Sequence, residues 1–142
     1  MKKIILMLVI CSLLSCKKDQ DKILTSKNWF IQSVTVTPAI TFGNKTSKNY
    51  LELMGPESCA ANSVLSFSSN GIFSSSSAGA LCDQFIDPNK PAITWRRDGD
   101  QIFLSTSSNA AYTLKGDILT QVTSSTQTGA TIYTFVSVYK SK

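Results

Sequence analysis

Between residues 63 and 140 the chain is cut into short runs of alternating character by closely spaced turn signals, and this rhythm most constrains its fold. "SVLSF" from Ser63 meets "IFSSS" from Ile72 across Ser69-Asn70-Gly71. "AITWRR" from Ala92 meets "QIFLST" from Gln101 across Asp98-Gly99-Asp100, and "AYTLK" from Ala110 meets "ILTQVTS" from Ile118 across Gly116-Asp117. Asn and Gly tolerate the positive φ that a tight hairpin needs, so each junction reads as a β-hairpin. A last run, "TIYTFVSVYK" from Thr131 to Lys140, follows Gln127-Thr128-Gly129, and an earlier one, "NWFIQSVTV" from Asn28 to Val36, is rich in aromatic and β-branched residues. These runs make eight strands. Sequential hairpins make neighbours in sequence neighbours in space, an antiparallel up-and-down meander. Such a meander loses its sticky edges by closing into a barrel. An open two-sheet sandwich satisfies the same alternation.

One connection breaks the rhythm. Pro38 to Asn62 is long for a loop, and long loops are uncommon unless functional. Within it "SKNYLELMGP" predicts a short helix with Ser47 as N-cap, Tyr50, Leu51 and Met54 on one face, and Gly55-Pro56 as the stop.

The N-terminus is of a different kind. Lys2-Lys3 precede an apolar stretch from Ile4 to Leu14, the length of a signal-peptide core and too short to span a bilayer, which takes about 20 residues. Leu13-Leu14-Ser15-Cys16 resembles the lipobox of bacterial lipoproteins, whose cysteine is acylated and becomes the first mature residue. The expected organisation is a signal peptide over 1–15, a charged tether over 16–22 and one β-barrel domain over 23–142. The resemblance implies a membrane partner, reached through a lipid anchor on Cys16. Lys17-Lys18-Asp19 directly after the cysteine resembles export signals to the outer face of an outer membrane, so a periplasmic or a surface-exposed location on that membrane is expected.

Loss of residues 1–15 leaves 127 of 142 residues, and the net charge of +5 falls to +3 as Lys2 and Lys3 depart. The remaining basic residues are scattered. Nucleic-acid binding, which calls for a clustered basic footprint, is therefore not expected. Arg96-Arg97 is the only adjacent basic pair beyond the tether, and strand alternation sends one to solvent and lets the other cap a barrel end. Of the four cysteines, Cys11 leaves with the signal and Cys16 is acylated, so Cys59 and Cys82 remain as an expected disulfide in an extracytoplasmic chain.

The chain has no histidine. That removes the ordinary Ser-His and Cys-His nucleophiles, the histidine general base and the imidazole metal ligand. Glu52 and Glu57 share the long connection, but nothing positions them as acid and base. Asp98 and Asp100 flank a glycine turn and Asp87 precedes a proline, so these carboxylates and Asp83 read as turn chemistry without calcium-loop spacing. No catalytic, metal or cofactor site is expected.

Most of residues 23 to 140 resembles the small lipocalin-like lipoproteins of Bacteroidetes-type bacteria. The pieces that carry the likeness are "LTSKNWFIQSVTV", "YLELMGPESC", "SVLSFSSNGIF", "LCDQFIDPNKP", "ITW" and the closing "IYTFV". The resemblance implies a lipocalin-like barrel, with Cys59 and Cys82 in their recurrent settings, Asp83 after the second, and Trp29 as the plug of the closed end. The arginine that lipocalins place on the final strand is absent, and Lys140 is the nearest basic residue.

An eight-stranded barrel has room for one small ligand or for its own side chains. Trp29, Phe67, Phe73, Trp95 and Phe135 are candidates for lining a cavity, or alternatively for filling it as core. Tyr50, Leu51, Leu53 and Met54 are candidate lid residues. Three roles stay open: binding of a small apolar or amphipathic ligand in the barrel mouth, docking of an envelope protein or glycan through the outer surface or loops, and a minor one as an inhibitor or assembly lipoprotein acting through its loops.

Overall fold

The computed structural model describes residues 20–78, 82, 89–126 and 131–142. The signal segment, Cys16, Asp83, Asp87 and the turn at 127–130 lie outside the described residues.

The fold is an antiparallel β-barrel closed by eight strands, with two short helices among the described residues. The strands are β1 (Asn28–Phe42), β2 (Lys45–Asn49), β3 (Ser63–Phe67), β4 (Ile72–Ser77), β5 (Ile93–Asp98), β6 (Gln101–Leu104), β7 (Ser107–Lys115), β8 (Ile118–Thr126) and β9 (Ile132–Ser141). Helix α1 covers residues 20–25 and helix α2 covers Tyr50–Met54. From β3 to β9 each strand pairs with the next, and β1 closes the wall by pairing with both β3 and β9. The meander expected from the hairpin signals is thus the observed topology, and closure excludes the open sandwich. At the β3–β4 turn, Gly71 takes φ 84° and donates its N–H to the Ser68 carbonyl at 3.0 Å, as the Asn-Gly signal requires.

The connection from Pro38 to Asn62 is not a draped loop, which corrects the expectation. β1 runs on through Pro38 to Phe42, turns at Gly43-Asn44 and returns as β2, a ninth strand outside the barrel wall. Pro38 lacks an N–H donor, and it sits where the β1–β2 ladder lapses between Thr35 and Ile40, the kind of position a sheet allows it. Helix α2 follows, but its N-cap is Asn49 rather than Ser47: the Asn49 side chain accepts the Glu52 N–H at 3.3 Å. Ser47 caps one step upstream by accepting the Asn49 N–H at 3.0 Å. Gly55 ends the helix at φ 84°.

A bulge in β1 sets which residues face inward. Ile31 pairs with Tyr139 and Ser33 with Val138, leaving Gln32 as the extra residue. The inward set therefore steps from Trp29 and Ile31 to Val34 and Val36. The lower barrel is packed with Leu24, Trp29, Leu65, Phe67, Phe73, Ile102, Tyr112, Leu114, Leu119 and Tyr139, all buried.

Candidate ligand site in the barrel lumen

The strand ends at residues 28, 67, 98, 115 and 141 gather at one end of the barrel, and helix α1 closes it. Leu24 of α1 is fully buried, and its carbonyl accepts the Trp29 indole N–H at 3.1 Å. Arg97 faces the same end from β5, with its side chain only 4% exposed. Its Nε donates to the Asp21 carboxylate at 2.6 Å, and Nη1 donates to the Gln20 side chain at 2.9 Å and the Gly99 carbonyl at 3.0 Å. Arg96 points outward over the Phe103 ring at 4.4 Å, so the adjacent arginines divide between solvent and barrel end as strand alternation requires. Lys140 turns outward to Asp117 at 3.7 Å. The buried guanidinium of the closed end comes from β5, not from the final strand.

The candidate cavity residues fall into three groups. Trp29 and Phe67 are 0% and 1% exposed and belong to the packed floor. Phe73 joins them, with its ring 5.1 Å from Phe67. Trp95 stands beside them at the closed end: half-buried and packed against this core, it meets Phe67 edge-on at 5.9 Å and donates its indole N–H to the Ser68 carbonyl of the β3–β4 turn at 3.1 Å. Phe135 and Tyr50 form the third group, a T-shaped pair 5.4 Å apart that brings α2 against the mouth. Leu51 and Leu53 are half-buried, whereas Met54 is 40% exposed to solvent. Cys59 and Cys82 are bonded, with Cα atoms 5.6 Å apart, and tie the segment after α2 to the one after β4. Glu52 and Glu57 are exposed, and the Glu52 carboxylate accepts the Ser47 hydroxyl at 3.4 Å.

Above the floor the lumen changes character. Tyr112 and Tyr139 lie 6.3 Å apart between floor and mouth. Burial pushes the Tyr112 hydroxyl well above the usual tyrosine range, and Tyr139 adds to the shift while a hydrogen bond from Gln121 opposes it. Tyr139 is raised by burial too, opposed by its bond with Ser63. Registers carry the inward face upward from there: Tyr112 pairs with Gln121, Gln121 with Ser137 and Thr123 with Phe135. Gln121, Thr123, Ser137 and Ser63 are half-buried, and Ser75, opposite Leu65, is exposed. The upper inward face is therefore mixed: half-buried hydroxyl and amide groups on β8 and β9 stand beside Val34 and Val36 of β1, which pair with Ser137 and Phe135 and are buried. Stripping a hydroxyl or amide of water without a partner costs about 1–3 kcal/mol, so occupants that return hydrogen bonds are favoured. None of these polar residues stood out in the sequence. The usable signal was the aromatic-to-serine alternation of Tyr139, Ser137 and Phe135.

Two grooves lie on the wall. One, of about 250 Å³, runs beside Trp95, Arg96, Phe103 and Leu104. The other, of about 260 Å³, lies where β1 parts from β3, beside Phe30, Val64 and Lys142. No protein-family model matches the chain, nor does any curated protein or solved structure.

Proposed function

We propose that this chain is a lipid-anchored, non-catalytic binding protein of the bacterial outer membrane, related to the lipocalin-like lipoproteins, whose barrel mouth holds one small amphipathic molecule. The observation that carries the reading is the change along the inward face from an aromatic floor to half-buried polar side chains, Gln121 and Thr123 on β8 and Ser137 on β9. A barrel serving only as a spacer gains nothing from inward-facing glutamine, threonine and serine. The mouth also carries α2, seated by Tyr50 on Phe135, and the Cys59–Cys82 bond beside it.

The anchor supports the same reading. With Cys16 acylated, four residues separate the lipid from Gln20, and four residues reach at most about 14 Å. Gln20 belongs to the helix at the closed end. The closed end then lies near the membrane and the mouth faces away from it, open to a soluble ligand.

Native mass spectrometry of the protein purified from its own membranes tests the proposal. A stoichiometric small-molecule adduct lost from a Ser137→Trp variant, which fills the upper lumen, is the expected result. No adduct, and no uptake from a broad panel of lipids, sterols and sugars, overturns it. An outer apolar strip, with Val122 52% and Ile132 62% exposed, favours a second reading as an envelope interaction module. That reading would lead if Val122→Lys abolished function while Ser137→Trp did not.

A further inference from the structure

We infer that the lumenal ligand is an uncharged, hydroxyl-rich molecule with one flat apolar face, the chemistry of a neutral saccharide, and that Gln121, Thr123 and Ser137 read its hydroxyls. The inference rests on the lumenal reading above and narrows it.

Charge comes first. Among the described residues of the wall strands, the lumen-facing positions carry one charged side chain, Arg97. It lies at the closed end beneath the packed floor, bound to Asp21, Gln20 and the Gly99 carbonyl. A fatty acid, a phosphate ester or an amine would thus bring its charge into a lumen that offers no counter-charge, and a desolvated unpaired charge is strongly disfavoured. The lumen selects for neutrality.

Polarity comes second. Gln121 has four hydrogen-bonding sites on its amide, of which the Tyr112 hydroxyl and the Ala110 carbonyl take two, the latter at a long 3.4 Å. Thr123 and Ser137 each add a hydroxyl that both donates and accepts. A wholly apolar guest would cover these groups and return nothing. A polyol satisfies donor and acceptor together, because its own hydroxyls act in both senses.

The aromatic ring comes third. Phe135, half-buried and paired with Thr123, stands beside the hydroxyls, and the negative face of an aromatic ring attracts the weakly positive C–H face of a sugar ring. A ring beside hydroxyls matches a molecule that carries both a flat C–H face and hydroxyl-bearing edges.

Calorimetric titration of the full-length chain with a panel of neutral disaccharides, run in parallel with a fluorescent fatty acid, tests the inference. At least one disaccharide should bind more tightly than the fatty acid. Thr123→Val, which keeps shape and removes one hydroxyl, should weaken that binding about five-fold, the worth of one neutral hydrogen bond. Thr120→Val, on the outer face of the same strand, should leave it within about two-fold. Fatty-acid binding that exceeds every disaccharide and is blocked by Ser137→Trp overturns the saccharide assignment and leaves the lumenal reading standing. Saccharide binding indifferent to both Thr123→Val and Ser137→Trp puts the sugar on the outer wall and also overturns the inference. Binding of neither class overturns the inference together with the reading beneath it.

Discussion

Leu24→Ala should unseat the plug of the closed end, and its cost should exceed that of breaking the ion pair on the same helix. Leu24 is 0% exposed, and truncating a fully buried leucine removes transfer energy and leaves a cavity. The general range for this change is about 2–5 kcal/mol, and a value near 3 is expected because α1 is short and able to settle part-way into the void. The Arg97–Asp21 contact is close, at 2.6 Å, but the Asp21 side chain is 45% exposed and water screens it. Asp21→Asn also leaves the guanidinium its bonds to Gln20 and the Gly99 carbonyl, so about 1 kcal/mol is expected. Both changes loosen one helix, so the double variant should cost less than their sum. Urea unfolding followed by tryptophan emission reads these differences directly. In thermal unfolding, Leu24→Ala should lower Tm by roughly 10 °C for a domain of this size. If Asp21→Asn costs as much as Leu24→Ala, or Leu24→Ala costs less than about 1 kcal/mol, α1 is a surface strap and not a plug.

Three further outcomes are expected. Cys16→Ser should abolish acylation and remove the protein from the membrane fraction, and continued incorporation of a fatty-acid analogue into the variant would refute the anchor. Reduction of the Cys59–Cys82 bond should destabilise the fold by about 3 kcal/mol while leaving the β-sheet circular dichroism in place, because the bond joins two segments outside the wall strands. Stability should be flat below pH 10 and fall above it: unfolded tyrosine ionises near 10.0, whereas folded Tyr112 and Tyr139 keep their protons to higher pH, so the folded state binds more protons there. The slope is at most about 1.4 kcal/mol per pH unit for each tyrosine, and Tyr112→Phe should reduce it in denaturation midpoints measured between pH 9 and pH 11, on the order of one unit either side of the free value.

The hairpins were legible because turn chemistry and side-chain period agreed at each of them. At Ser68–Ile72 the glycine takes the positive φ that an Asn-Gly signal demands, and Phe67 pairs with Phe73 across it. The continuation of β1 was not legible, for a physical reason. Pro38 argues against a strand interior, and β2, "KTSKN", has no apolar residue to set a period. Its pairing is held by the backbone ladder and by the Thr41–Thr46 hydroxyl contact at 2.8 Å, neither of which leaves a hydrophobic trace. The bulge at Gln32 is faintly visible as the spacing of three between Ile31 and Val34, where strict alternation expects two.

The candidate site was the less legible part, because inward-facing residues change polarity with height along each strand. On β3 the inward series from floor to mouth runs Phe67, Leu65, Ser63, and on β4 it runs Phe73, Ser75, Ser77. On β8 it runs Leu119, Gln121, Thr123, and on β9 Tyr139, Ser137, Phe135. Periodicity assigns a polar residue to the outer face, so every upper serine and threonine reads as solvent wall while the large aromatics read as cavity. The structure reverses part of that assignment. Trp29 and Phe67, the most conspicuous apolar candidates, are consumed by the floor, since aromatic bulk buried at the plug returns more stability than it would half-wet at the mouth. A lumen selected for stability alone would continue the apolar series to the top, because buried polar groups contribute little net stability even when bonded. Serine on β3, β4 and β9, with glutamine and threonine on β8, departs from that rule while β1 keeps Val34 and Val36 inward beside them, and this polar sector is the part of the lumen that the proposed ligand would meet.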